Sequence, residues 1–305
     1  MNYAPIIKEI GRGAKGARPL DVDQAQAVFG DMLDGKVPEL ELGAIVMALR
    51  IKSESAEELL GFKRAIDART PQLAVPSGPR CVVLPTYNGA RRQANLMPLL
   101  ALLLAREGIP VLIHGRHDFD NRSSPFALLA ALGVHPAADT AAAAAALARG
   151  AIACMKLDTL LPGLDRLLAL RLRMGVRGSA HTMAKLIDPC RGRSARVVAV
   201  THPEYLQRMH HFLRADGGHA MLLRGTEGEA YANPRRRPEM KVFEDGMARI
   251  AWNAEEGGAP PLADLPDCPE VADNAALIEA ILDGRRALPA ALAAQAETLR
   301  ALAHG

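Results

Sequence analysis

The residues best placed to do chemistry lie in one loop. Pro85-Thr86-Tyr87-Asn88-Gly89-Ala90-Arg91-Arg92-Gln93-Ala94-Asn95 follows the apolar run 81–84 and precedes the apolar run 96–105. Where a strand hands over to a helix in an α/β protein, loop amides and the helix N-terminus form a ready anion site. This loop adds hydroxyl, carboxamide and guanidinium groups, which suit phosphate. Gly89 is its one glycine, so its backbone is poorly suited to wrap a pyrophosphate closely. Other candidates carry less. Gly11-Arg12-Gly13-Ala14-Lys15-Gly16 matches G-x-G-x-x-G, but dinucleotide binding needs a strand before it, and residues 6–10 read as a short helix. A basic turn is the simpler reading. His114 and His117, and His202, His210 and His211, have no Cys or carboxylate at a supporting spacing, so no metal site is expected. No G-x-S-x-G elbow and no Walker A loop occurs.

Charge is spread unevenly. The chain holds 37 Lys+Arg and 34 Asp+Glu, a net charge of +3, which by itself gives little reason to expect a polyanion partner. That figure averages two opposed segments. Residues 166–196 hold Arg166, Arg171, Arg173, Arg177, Lys185, Arg191, Arg193 and Arg196 against Asp188 alone. Residues 253–283 hold Glu255, Glu256, Asp264, Asp267, Glu270, Asp273, Glu279 and Asp283 with no Lys or Arg. Smaller basic groups are Lys8, Arg12, Lys15 and Arg18; Arg91 and Arg92; and Arg235, Arg236 and Arg237. Arginines on a helix form ordinary solvated faces, but cations this crowded should repel one another unless a partner compensates them. Aromatic residues make up 4% of the chain, which favours phosphate contact over base stacking.

These residues need a scaffold. An apolar fraction of 49% over 305 residues excludes a disordered chain and allows one large or two medium domains. The first ~70 residues read as helices. Ala25, Val28, Phe29, Met32 and Leu33 have helical spacing behind Asp21, a suitable N-cap, with Gly35 as a stop. Leu40, Leu42, Ile45, Val46 and Leu49 repeat the pattern, and Ser55 with Glu58 forms a capping-box signature before a further helix. After a turn-rich linker at 70–79 the pattern changes to strand and helix in alternation. Strands are expected at 81–84, 109–114, 152–155, 197–200 and 220–223. Helices are expected at 96–106, 126–132, 140–149, 164–174, 203–213, 273–282 and 289–302. Such alternation implies a parallel sheet. Cys81, Cys154, Cys190 and Cys268 form no C-x-x-C pair, so neither a disulfide framework nor a zinc site is expected. The N-terminus lacks the apolar core of a secretion signal. The run 96–105 falls far short of the ~20 residues that span a bilayer. The chain therefore reads as a reduced, cytoplasmic protein with no membrane partner.

At this point the sequence resembles anthranilate phosphoribosyltransferase and its nucleoside phosphorylase relatives. Residues 37–62 (VPELELGAIVMALRIKSESAEELLGF) look like that family's second and third helices. Ile113-His114-Gly115 resembles its Lys-His-Gly-Asn segment, and Met174-Gly175-Val176-Arg177 its Leu-Gly-x-Arg-Thr segment. Residues 200–228 resemble its last strand-helix-strand unit. The resemblance implies an α/β fold class: a small helical N-terminal domain plus a larger α/β domain with a mainly parallel central sheet. Residues 1–75, joined by helices from 163–188, would form the first, and 79–162 with 189–305 the second. It also implies a homodimer through the helical domain.

The resemblance breaks where chemistry would occur. The family's Gly-Thr-Gly-Gly-Asp loop for phosphoribosyl pyrophosphate falls on residues 85–89, without two of its glycines and its Asp. Its Asn-x-Ser-Thr segment falls on Asn95-Leu96-Met97-Pro98, without the hydroxyls. Its Mg²⁺-binding Asp-Glu pair falls within residues 228–231 and reads as lost. Removing carboxylates and phosphate cradle together should abolish a transfer that relies on Mg²⁺ to neutralise a pyrophosphate leaving group. The pattern that replaces these motifs resembles the family's divergent YbiB-type branch, which implies no transferase activity and nucleic-acid binding without sequence preference by a homodimer with basic grooves. The expected contacts are Arg91, Arg92, Arg171, Arg173, Arg177 and Lys185 in an interdomain groove, with Arg116, Arg12 and Lys15 as lesser candidates. The partner is DNA and possibly RNA. Thr86, Tyr87, Asn88, Gly89, Asn95 and His114 would be a residual ligand-site loop; no catalytic residue and no cofactor is expected. The rival readings are an active transferase with altered substrate, which would need Mg²⁺, and a scaffold whose basic face meets an acidic protein or small polyanion.

Overall fold

The structure is a computed structural model that describes residues 1–13, 15–117, 122–258, 265 and 270–305. Ala14 of the basic turn, Asp264 and Asp267 of the acidic segment, and Cys268 lie outside the described residues. In chain order the elements are α1 (Ala4–Ile10), α2 (Val22–Leu33), α3 (Glu39–Lys52), α4 (Ala56–Asp67), β1 (Cys81–Thr86), α5 (Met97–Arg106), β2 (Val111–Gly115), α6 (Pro125–Ala131), α7 (Thr140–Ala148), β3 (Ile152–Lys156), α8 (Leu157–Leu160), α9 (Pro162–Met174), α10 (Ser179–Met183), β4 (Ser194–Val200), α11 (Pro203–Asp216), β5 (His219–Arg224), β6 (Met240–Glu244), β7 (Met247–Trp252), α12 (Val271–Leu282) and α13 (Ala290–His304). The chain divides into two compact units, Met1–Pro71 with Leu157–Asp188, and Gln72–Lys156 with Pro189–Gly305.

The first unit is helical. Its central packing is α2 against α4, where the Phe29 and Phe62 rings stack with centroids 4.5 Å apart. Gly61 allows that approach, since a Cβ there would strike the Val22 carbonyl oxygen. Capping boxes start both helices: Asp21 with Gln24, and Ser55 with Glu58. Glu58 does more than cap. Its side chain is fully buried and accepts from Leu20 N at 3.0 Å, Ser55 N at 2.8 Å and Lys52 Nζ at 2.6 Å. One carboxylate thereby ties the entry of α2, the end of α3 and the start of α4. At the other end of α2, Asp34 takes the Arg69 guanidinium, which with Lys36 holds its carboxyl far below the usual range.

The second unit is a sheet with the strand order β3-β2-β1-β4-β5-β6-β7. Strands β3 to β5 pair in parallel; β6 and β7 add antiparallel. Strands β1, β2 and β4 are buried along their whole length, which is why they read as continuous apolar runs and not as alternation. On one side α5, α12 and α13 cover the sheet through Leu100, Leu104, Ile278, Leu292 and Leu299, which join Val82, Leu84, Val197 and Met221 in one core. This is the fold class expected from the sequence.

No periodicity marks residues 238–252, yet they form the β6–β7 hairpin. Its signal is Asp245-Gly246, both at positive φ (47° and 84°), a two-residue type I′ turn that matches the twist of the flanking strands. The short helices α8 and α10 are likewise too brief for periodicity to reveal. Replacing Glu58 with Ala strands three donors in the interior of the helical unit. The expected loss is about 3 kcal/mol, read as a fall in denaturant midpoint, with the exposed Glu57→Ala change costing little.

Candidate functional site

The candidate loop sits where the sheet topology puts ligands. The chain leaves β1 towards β2 on one side and reaches β4 on the other, so the carboxyl end of β1 faces the point where strand order reverses. There the loop after β1 meets the loop after β5. The second loop makes a tight turn at Thr226–Glu229, closed by Glu229 N donating to Thr226 O at 2.9 Å. Glu227 (φ 51°) and Gly228 (φ 90°) are its central residues, again type I′. Gly228 is required twice over, because a Cβ there would also strike the Asn88 carboxamide.

This turn aims two carboxylates at the loop. Glu229 is fully buried, and its Oε1 accepts the backbone amides of Tyr87 (3.2 Å), Asn88 (2.8 Å) and Gly89 (3.0 Å). Its Oε2 accepts the Thr86 hydroxyl in a short hydrogen bond. Glu227 accepts the amides of Arg91 (3.2 Å) and Arg92 (2.8 Å). Successive amides converging on one acceptor make an anion nest. Here the anion is part of the chain. From the other side Arg122 donates to Gly89 O at 3.2 Å and lies 3.8 Å from Glu227. Thr86, Tyr87, Asn88 and Gly89 thus come together as a ligand loop would, around Glu229. Residues 228–231, read from the resemblance as having lost their carboxylates, do bring one to the loop in Glu229; sequence reasoning gives no role to it, to Glu227 or to Arg122.

His114, on β2, is wholly buried and hydrogen-bonded to the Tyr87 hydroxyl through Nδ1 at 2.9 Å. Burial pulls its pKa down to about 3, so the ring is neutral. Asn95 is also fully buried: its Oδ1 accepts Met97 N at 3.1 Å, and its backbone exchanges hydrogen bonds of 2.7 and 3.0 Å with Asn274 of α12. On β3, burial pushes the Cys154 thiol up to about 12.

The cationic candidates fall in both units. Arg91, Arg92 and Arg116 belong to the α/β unit; Arg12, Lys15, Arg171, Arg173, Arg177 and Lys185 belong to the helical unit. Arg91, Arg92, Arg12, Lys15, Arg173 and Arg177 are exposed, and Arg116, Arg171 and Lys185 are half-buried. The expectation that the 166–196 cations lack compensation needs correction. Arg173 pairs with Glu39 at 3.3 Å, and Arg166 donates to Leu33 O. Arg196 is buried in β4 and pairs with Asp216 at 2.5 Å, while Arg193 donates to Pro76 O and Gly78 O. Partners distant in sequence supply what the segment lacks. Arg171 and Arg173 also occupy the last turn of α9, where cations complement the helix dipole.

The described residues at the loop offer no open carboxylate set for the Mg²⁺ of the resembled family. Among the described residues, the carboxylates of Glu227 and Glu229 are committed to amide and hydroxyl donors. No group of three His, Cys, Asp or Glu among the described residues is disposed to hold a metal ion. No helix among the described residues is long and apolar enough to cross a membrane.

Comparison with known proteins agrees with this architecture. Residues 4–70 match a glycosyl transferase family helical bundle domain. The chain is 42% identical to the uncharacterized protein YbiB of Escherichia coli, over 97% of this chain and 92% of that one. It is 30% identical to an anthranilate phosphoribosyltransferase of Methylorubrum extorquens, over 90% of this chain and 81% of that one. It also resembles the crystal structure of anthranilate phosphoribosyltransferase from Thermus thermophilus, with a TM-score of 0.75, 24% identity, and coverage of 98% of this chain and 89% of that one, a likeness of fold.

The buried neutral His114 has a pH signature. Its unfolded-state pKa lies near 6.5 and its folded value near 3, so the unfolded chain binds the extra proton between them. Stability from this group is complete above pH 6.5 and declines as pH falls towards 3. From pH 7 to 5 the loss is on the order of 2 kcal/mol. His114→Gln should remove that part of the pH slope of the denaturant midpoint.

Proposed function

Because this chain belongs to the anthranilate phosphoribosyltransferase-like family, in its YbiB-type branch, we propose that it uses that scaffold without the transferase chemistry and binds nucleic acids without reading their sequence. The observation that carries this reading is the filled nest. The loop that would cradle a pyrophosphate spends its amides on Glu229, while Arg91 and Arg92 of the same loop are exposed. A phosphoribosyl pyrophosphate entering here would have to displace a buried, multiply hydrogen-bonded carboxylate, and would meet its negative charge. Exposed guanidinium groups suit the backbone of DNA or RNA instead: they contact phosphates, which carry no sequence information. Arg171, Arg173, Arg177 and Lys185, with Arg12, Lys15 and Arg116 as lesser contributors, extend the same chemistry.

The protein acts as a homodimer through its helical unit. The support is α3, an apolar helix of which only Ile45 and Leu49 are buried. Leu40 is 83% and Ile51 68% exposed, with Met47 half-buried between them. An apolar stripe of this kind on a helix surface marks an interaction face.

The reading is tested with unrelated oligonucleotides of equal length across a salt series. Affinities should agree within a few-fold between sequences, and log K should fall linearly with log salt, by about 0.9 per phosphate neutralised on duplex DNA. Calorimetry with phosphoribosyl pyrophosphate and Mg²⁺ should give no binding heat. Saturable binding of that ligand, or a salt response that is flat, would return the protein to the transferases or to protein partners.

A further inference from the structure

Glu227 and Glu229 sit in a segment that binds no external ligand in the reading above, so their role must lie in what they hold. Between them they take five amides of the loop after β1: those of Tyr87, Asn88, Gly89, Arg91 and Arg92. We propose that the two carboxylates are positioning residues, holding this loop as a preformed finger whose Arg91 and Arg92 side chains take adjacent phosphates of a nucleic-acid strand. The inference rests on the nucleic-acid reading and assigns that reading's α/β-unit contact to one structural device.

Three observations support it. The first is direction. Glu227 bonds the amides of the two arginines themselves, so it determines where their Cα atoms stand. The second is strain. Glu227 is held at φ 51°, in the left-handed region that disfavours a residue with a Cβ. Asp or Asn followed by Gly is the usual choice for such a turn. The shorter Asp would give up a methylene of reach towards the loop, and the chain keeps Glu. The third is electrostatic. Two acids behind a phosphate-binding pair would weaken it if their charge were exposed. Glu229 is wholly buried, and the Glu227 side chain is 14% exposed with Arg122 3.8 Å away. Amides stabilise the Glu229 carboxylate, and the Arg122 guanidinium offsets part of the Glu227 charge. Arg122 also anchors the Gly89 carbonyl, so the loop is tied on both edges of its backbone. A tied loop avoids the ordering cost that a loose one pays on binding.

The test turns on a sign. Removing an acid near a phosphate site ordinarily tightens binding to a polyanion. Positioning demands the reverse. Full-length protein and the variants E227A, E229A, E227Q, E229Q and R91A/R92A are titrated against a labelled oligonucleotide over a salt series. Thermal unfolding identifies variants that keep their fold. R91A/R92A should weaken binding and lower the salt slope by about 1.8 on duplex DNA, the share of two phosphates. E227A should weaken binding and lower the slope in the same sense, and should add nothing to R91A/R92A. E227Q and E229Q, whose amide oxygens still accept hydrogen bonds, should restore most of the affinity and slope; they also supply the comparison if an alanine variant does not fold.

If the acid variants bind as tightly as the parent or tighter, with the slope unchanged, the positioning role is overturned while the nucleic-acid reading stands. The same holds if their losses add to those of R91A/R92A, or if R91A/R92A itself binds like the parent. Absence of binding by the parent protein at low salt overturns the functional reading, and this inference with it.

Discussion

The buried carboxylate of Glu229 is the interaction on which the site depends. A backbone that leaves a parallel strand and turns inward must find acceptors for its amides, because unpaired buried donors cost free energy comparable to a lost hydrogen bond. In this protein one side chain answers for Tyr87, Asn88 and Gly89 and for the Thr86 hydroxyl. The consequences spread outward. The carboxylate must arrive from the loop after β5, which demands a tight turn, which demands Gly228. The neighbouring Glu227 is then close enough to finish the loop at Arg91 and Arg92. Charge burial is tolerated because every bond to the anion comes from a polarised N–H or O–H, the arrangement that makes nests good anion hosts.

The same logic recurs in the helical unit, where Glu58 collects donors from Leu20, Ser55 and Lys52. In each unit a single acid organises backbone ends that no apolar contact could satisfy. Charge counted along the chain therefore differs in kind from charge presented to solvent. Arg196 is in the basic segment by sequence and in the sheet interior by structure, paired to Asp216.

Much of the scaffold was legible from residue patterns. The N-cap at Asp21, the capping box at Ser55, the apolar strands β1, β2 and β4, and the helix α5 all appear near their expected places, because each is stabilised by local capping or by full burial that leaves a continuous apolar run. The β6–β7 hairpin escaped because β7, the exposed edge strand, carries little burial pattern. The loop after β1 was also legible as a candidate site, from its place between strand and helix and from Thr86, Arg91 and Arg92.

What occupies that loop was not legible. Glu229 lies about 140 residues from its partners in sequence, and nothing in its own neighbourhood distinguishes a solvated glutamate from a buried one. Sequence determined the helices, the strand runs, a loop after β1 with a single glycine and the uneven charge, since all of these are properties of short segments. Only the tertiary structure decided that this loop wraps an internal carboxylate and that several of the basic residues already have partners. Those outcomes depend on which distant segments the sheet order brings side by side, and strand order is set by packing of the whole unit.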